Sequence, residues 1–202
     1  MTFSIVESLK FGWEKTKQHS GLLFQVLLTL FALQVLYAMV SRVLEGSAIG
    51  FLAIVALMVA EFVVGVGLTL ITLRIAQGKH VEYKDIVPPL QMLWQYALAS
   101  ALAGLIVLGG LILLIVPGIY FALRFSMVRF AVLEGEGVMG SLTKSSLLTQ
   151  GVKWKLLGFL LIICLVNLLG AILFLVGLLL TIPVTTIAYA HVYQKLHARH
   201  RS

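Results

Sequence analysis

The sequence predicts an all-α polytopic membrane protein: six transmembrane helices as three hairpins, each preceded by a short amphipathic interfacial helix. Three observations carry this. Of 202 residues, 60% are hydrophobic and only 11% charged, with a mean hydropathy of +1.06, more apolar surface than a soluble domain of this length can hide. The apolar residues come in runs of about 20, enough to cross a hydrocarbon core of ~30 Å. The basic residues crowd into alternate connections. The whole chain, 1–202, reads as a single membrane domain with no sizeable soluble part.

Residues 3–19 open the chain as an amphipathic helix. Ser4 and Glu7 have capping-box spacing, so a helix can start there. Ile5, Leu9 and Trp13 recur on one face while Lys10, Lys15 and Lys17 fall elsewhere, the pattern of a helix lying among headgroups with Trp13 as anchor. The apolar run that follows is too long for a secretory leader and lacks a small-x-small cleavage site.

Spans one and two are expected at about 21–40 and 49–75, joined through Arg42, Glu45 and Gly46. A polar connection leads to a second interfacial helix at about 86–95, with Pro88 and Pro89 suited to its first turn and Trp94 as its anchor. Spans three and four, 97–116 and 118–134, form a hairpin whose tight turn is assigned to Pro117 and Gly118. Small residues such as Ala97, Ala101 and Gly104 on span three allow close helix approach in lipid. A third interfacial helix is expected at about 139–149. Beyond Lys153, Trp154 and Lys155 one apolar run is long enough for two spans, 153–172 and 176–196, with a turn between Gly170 and Gly177. Trp154 is the third anchor. Pro183 should bend the last span or sit in its first turns. Superposing 8–16 on 141–149 pairs Ser8, Leu9 and Thr16 with Ser141, Leu142 and Thr149, a weak internal repeat.

Charge sets the expected orientation. Fourteen of the 15 Lys and Arg fall in the N-terminal segment, the second and fourth connections, span four and the tail. Only Arg42 lies on the opposite side. Both termini are therefore expected in the cytoplasm, with the net charge of +7 facing anionic headgroups rather than nucleic acid. The small-residue faces leave room for a second copy or another membrane protein.

Glu61 is the most costly residue, an ionisable side chain at mid-membrane. Glu61 and Arg129 both lie twelve residues past an outer turn, about 18 Å deep at 1.5 Å per residue. Arg124 is shallower, at about 10 Å. The expectation is that Glu61 pairs with Arg129 or Arg124. That pair either fixes which helices are neighbours or, with Asn167, forms part of a polar path. Asn167, Gln25 and Gln34 are candidates for interhelical hydrogen bonds. Glu134 and Glu136 read as solvated charges in a connecting turn. The five histidines show no metal-ligand spacing, and Cys164 stands alone in an apolar run. No Ser-His-Asp grouping, phosphate loop or carboxylate pair is placed for catalysis, so no enzyme, cofactor or metal is expected. The function expected is a module that binds or moves a lipid, amphiphile or small ion. The alternative is a structural protein that assembles through its small-residue faces.

Pro117, Gly118, Ile119, Tyr120 and Arg124, followed by Leu142, Lys144, Ser145, Leu148, Thr149, Gly151 and Trp154, form a recognisable pattern. It resembles the membrane domain associated with glycerophosphoryl diester phosphodiesterases and related stand-alone bacterial six-span membrane proteins. Ser141, Thr143 and Ser146 depart from it. The resemblance implies six spans in a bacterial cell membrane. It implies no hydrolysis, which in that family belongs to the separate phosphodiesterase domain.

Overall fold

The structure is a computed structural model that describes residues 3–172 and 176–201. Helix accounts for 86% of it, and the described residues contain no strand. Helix α1 (Ile5–Gln18) leads through His19 into α2 (Ser20–Val43), and α3 (Ala48–Ala76) returns. A 3-10 turn (Tyr83–Ile86) precedes α4 (Leu90–Leu113). The chain then returns through α5 (Ile115–Arg124) and α6 (Val128–Leu133). Helices α7 (Val138–Leu148), α8 (Lys153–Ile172) and α9 (Val176–Arg201) complete it. Among the described residues five segments are long and apolar enough to cross a bilayer: α2, α3, α4, Ile115–Leu133 and α8. This is the make-up of a multi-pass membrane protein.

Several sequence expectations need correction. The second interfacial helix, 86–95, does not exist as a separate element. One short 3-10 turn stands there, Pro89 caps α4, and α4 runs unbroken from Leu90. Nor do Pro117 and Gly118 make the turn. Leu114, extended at φ −163° and ψ 152°, reverses the chain three residues earlier. Pro117 then sits in the first turn of α5, where its missing N–H costs nothing. Gly118 is needed for closeness: a Cβ there would press into the Leu111 side chain and come within 2.9 Å of its Cα. Gly110 faces it, with an added Cβ 3.0 Å from the Gly118 Cα. The return leg is also broken between Arg124 and Val128. The turn expected between Gly170 and Gly177 takes in 173–175, which lie outside the described residues. Its flanks approach as the second hairpin does, a Cβ on Gly177 falling 2.8 Å from the Gly170 Cα.

Three units result, each an entry element, an outgoing helix and a return leg. Every entry element packs on the return leg of the unit before it, around a ring. Helix α1 lies on α9, where the Gly12 Cα abuts the Val184 carbonyl and an added Cβ would lie 3.1 Å from the Ala188 Cβ. The 3-10 turn lies on α3, with a Cβ on Gly67 2.7 Å from the Ile86 Cα. Helix α7 lies on the α5–α6 junction, where Ser145 Oγ donates to the Arg124 carbonyl at 2.8 Å and accepts from Met127 N–H at 3.2 Å. The contact face of α1 is thus Ser8, Gly12 and Thr16, all buried, and Ile5 and Leu9 only flank it. The matching residues of α7, Ser141, Ser145 and Thr149, are buried too. The weak sequence repeat is a repeated packing surface.

The three return legs meet at the centre, where Leu73, Phe130, Val132, Val192 and Tyr193 are closed from solvent. Gln77 and Glu134, which close α3 and α6, touch Gln194 of α9, seven residues before that helix ends at Arg201, and this level is the basal end. Counting back from that level at 1.5 Å per residue, α3 rises ~43 Å, Ile115–Glu134 at most ~28 Å and Val176–Gln194 ~27 Å. The return leg of the first hairpin is therefore ~15 Å longer than those of the other two. The second also leans: Lys153 Nζ, at the base of α8, lies 3.6 Å from the centre of the Tyr120 ring.

Candidate functional site

The unequal heights decide where Glu61 falls. It lies sixteen residues before Gln77, ~24 Å above the basal level, whereas Arg129 lies five residues before Glu134, at most ~8 Å above it. The expected ion pair is absent: the ion pairs among the described residues include neither Glu61, Arg124 nor Arg129. The outer turns are not level; the return legs are level at their other ends, where Gln77, Glu134 and Gln194 touch. Arg124 instead donates to Ser146 Oγ at 2.8 Å, clamping α7. Arg129 lies beside the Tyr189 hydroxyl. Asn167 Nδ2 donates to Thr185 Oγ1 at 3.2 Å, joining α8 to α9 within one hairpin. The four residues expected to share a polar site stand in separate places. Trp13, Trp94 and Trp154 are all exposed, and Lys17 Nζ sits 4.8 Å from the Trp13 ring centre.

Glu61 opens instead into a groove of about 760 Å³ beside the shorter third hairpin. Its walls are Phe24, Leu27, Leu28, Leu30 and Phe31 of α2 and Leu178, Leu179 and Ile182 of α9. Gln34 is the other polar residue lining it. Helix α3 packs chiefly against α2 and α9, which is why its mid-helix carboxyl faces them. Glu61 Oε1 is buried and has no hydrogen-bond partner among the described residues.

A second polar centre, at the basal end, went unread in the sequence. Glu134, expected to be a solvated turn residue, is the hub where the units meet. Its Oε1 accepts from Gln77 Nε2 at 2.8 Å and Gln194 Nε2 at 3.0 Å. Its Oε2 accepts from Tyr193 OH at 2.6 Å and Lys144 Nζ at 2.9 Å, and His197 Nδ1 lies 3.3 Å away. Lys144 also reaches Glu136 at 3.2 Å. Side-chain exposure is only 14% for Glu134 and 17% for Lys144. Burial opposes ionisation of Glu134, but hydrogen bonds from Tyr193, Lys144 and Gln194, with the Lys144 charge, outweigh it and hold the carboxyl below its ordinary range. A signal was available. Gln77-Gly78 and Glu134-Gly135 both end a return helix with a left-handed glycine, at φ 69° and 94°, a stop that closes the helix carbonyls. Laying one pair on the other aligns the return legs and puts Gln77 and Glu134 at one level.

The hub borders a cavity of about 510 Å³ that also takes in Arg74, Lys79 and Glu136. Its charges are largely spent on each other, Arg74 being held by Asp85 at 2.6 Å. Among the described residues no cluster of three or more His, Cys, Asp or Glu could hold a metal ion. The arrangement can lock three return legs together, and the groove holds one of four unmatched buried polar atoms among the described residues, those of Ser100, Thr181 and His191 lying elsewhere. No family model, curated protein or solved structure matches the chain.

Proposed function

We propose that the protein is a non-enzymatic membrane module that binds an amphiphile, its alkyl chain in the groove between α2, α3 and α9 and its head at Glu61. The observation that carries this is the groove itself: its apolar walls surround one carboxyl whose Oε1 has no partner. About 760 Å³ lies in the ~300–1,000 Å³ range of small-molecule pockets. A small ion is a poorer fit, since one carboxyl and one amide fall far short of the six to eight oxygens a bare calcium ion takes. A purely structural role would be served better by an interior with no groove beside Glu61.

In this reading the basal end faces the cytoplasm of a bacterial cell, with both termini there and three hairpins inserted from that face. The layout keeps the six-span arrangement and the likeness to the phosphodiesterase-associated membrane domain as parts of the proposal. The shorter hairpins, at ~28 Å, fit a core of ~30 Å only with slight thinning around them. The test is ligand-induced stabilisation in nanodiscs, with hexadecanol, hexadecylamine and hexadecanoate each added to the unaltered protein and to Leu28→Trp. At 100 times Kd a ligand stabilises by about 2.7 kcal/mol. At least one of the three should raise the unfolding temperature of the unaltered protein and leave Leu28→Trp unmoved. No shift with any of them sinks the proposal.

A further inference from the structure

The groove also says which head it selects. Resting on the amphiphile reading above, we propose that the preferred ligand is a single-chain cationic amphiphile, a long alkyl chain ending in an ammonium group, whose N–H donors meet Glu61. Four observations lead there. Glu61 Oε1 is shut from solvent without a hydrogen bond, and a polar atom left so is costly until a donor reaches it. No lysine, arginine or histidine lines the groove, so the protein supplies no counter-charge. The two arginines that could have done so sit ~9 Å (Arg124) and ~16 Å (Arg129) deeper by the helix rise, one clamped to Ser146 and the other beside Tyr189. The walls are alkyl and aromatic: Phe24, Leu28, Phe31 and Leu179 offer an extended chain dispersion contacts and no donors.

The heads available to an amphiphile are then ranked by chemistry. An ammonium brings three donors and a positive charge. A hydroxyl brings one donor and no charge. A carboxylate brings no donor for the unpartnered oxygen and ranks last. A phospholipid with an ammonium head carries a phosphate as well, and the groove has no cation to meet it. The level fits too: Glu61 lies close to the height at which the shorter hairpins end, so a head entering over their tips meets the carboxyl first.

The experiment compares heads on one chain length. Full-length protein in phosphatidylcholine nanodiscs is titrated with hexadecylamine, hexadecanol or hexadecanoate at pH 7, and retained ligand is read by native mass spectrometry. Hexadecylamine should bind about tenfold more tightly than hexadecanol, hexadecanoate should be retained least, and added phosphatidylethanolamine should not compete. Glu61→Gln, close in shape, should bring the amine down to the level of the alcohol. Equal retention of all three, or an amine preference that survives Glu61→Gln, overturns the proposal. If Glu61→Gln fails to fold, the ranking on the unaltered protein decides alone. Equal retention that Leu28→Trp abolishes would overturn the head selection and leave the groove standing, whereas binding indifferent to Leu28→Trp would remove both.

Discussion

Glu134 holds more of the structure together than any other single side chain, because each of its oxygens ties at least two elements to a third. Cutting it back with Glu134→Ala removes an acceptor from Lys144, Tyr193 and two glutamine amides, leaving Lys144 only Glu136 as an ion-pair partner, and should cost ~3 kcal/mol or more, seen as a lower unfolding temperature in detergent. The same residue sets a pH dependence. Its carboxyl is held below the ordinary value of 4.5, so the folded state binds its proton less readily than the unfolded chain does. The stability it contributes is complete above that ordinary value and is lost as pH falls through the lower folded one. Unfolding temperatures measured from pH 7 down to pH ~3.5 should therefore fall more steeply for the unaltered protein than for Glu134→Gln. Parallel curves would mean the hub is not ionised. Ser145 works at the same scale. Without its hydroxyl, Met127 N–H loses its acceptor, while the Arg124 carbonyl keeps only Thr149 at 3.3 Å. Ser145→Ala should cost about 1–3 kcal/mol and loosen α7, which hydrogen exchange across 138–148 would register.

The elements are joined by close approach rather than by long side chains. Gly118→Ala drives a Cβ into Leu111 and should destabilise the second hairpin by about 1–3 kcal/mol. Gly104→Ala, with nothing within 4 Å of the added carbon, should change little and serves as the control in the same unfolding assay. Periodicity and run length made the long helices legible, along with α1 capped by Ser4 and α7. They could not place the reversal at Leu114, because an apolar residue in extended backbone looks like its neighbours and a Pro-Gly pair looks like a turn. Nor could they show that α4 absorbs the second interfacial helix. The groove was half legible: Glu61 stood out as costly, but its neighbours depend on α3 packing against α2 and α9. The hub was hidden for a different reason. Charged and amide residues at helix ends are ordinarily solvated, and only the convergence of three return legs buries this set.

At the scale of the whole molecule, three similar units close a ring, each entry element lying on the return leg of the unit before. A ring levelled at its base leaves its hairpins uneven at their tips. The long return leg of the first unit standing beside the short third one is what opens the groove and sets Glu61 near the level of the third unit's tip. Packing at the base and the proposed binding in the groove thus rest on one arrangement, so variants at the hub should loosen the groove more than groove variants disturb the hub. The most direct test of that account maps where an alkyl chain sits. A hexadecyl amphiphile with a photoreactive group at mid-chain is crosslinked to the protein in nanodiscs, and the labelled peptides are sequenced. Labels should concentrate on Phe24–Gln34 of α2 and Leu178–Ile182 of α9 and be lost in Leu28→Trp. Labels spread evenly over the lipid-facing sides of α4 and α8, and unchanged by Leu28→Trp, would contradict it.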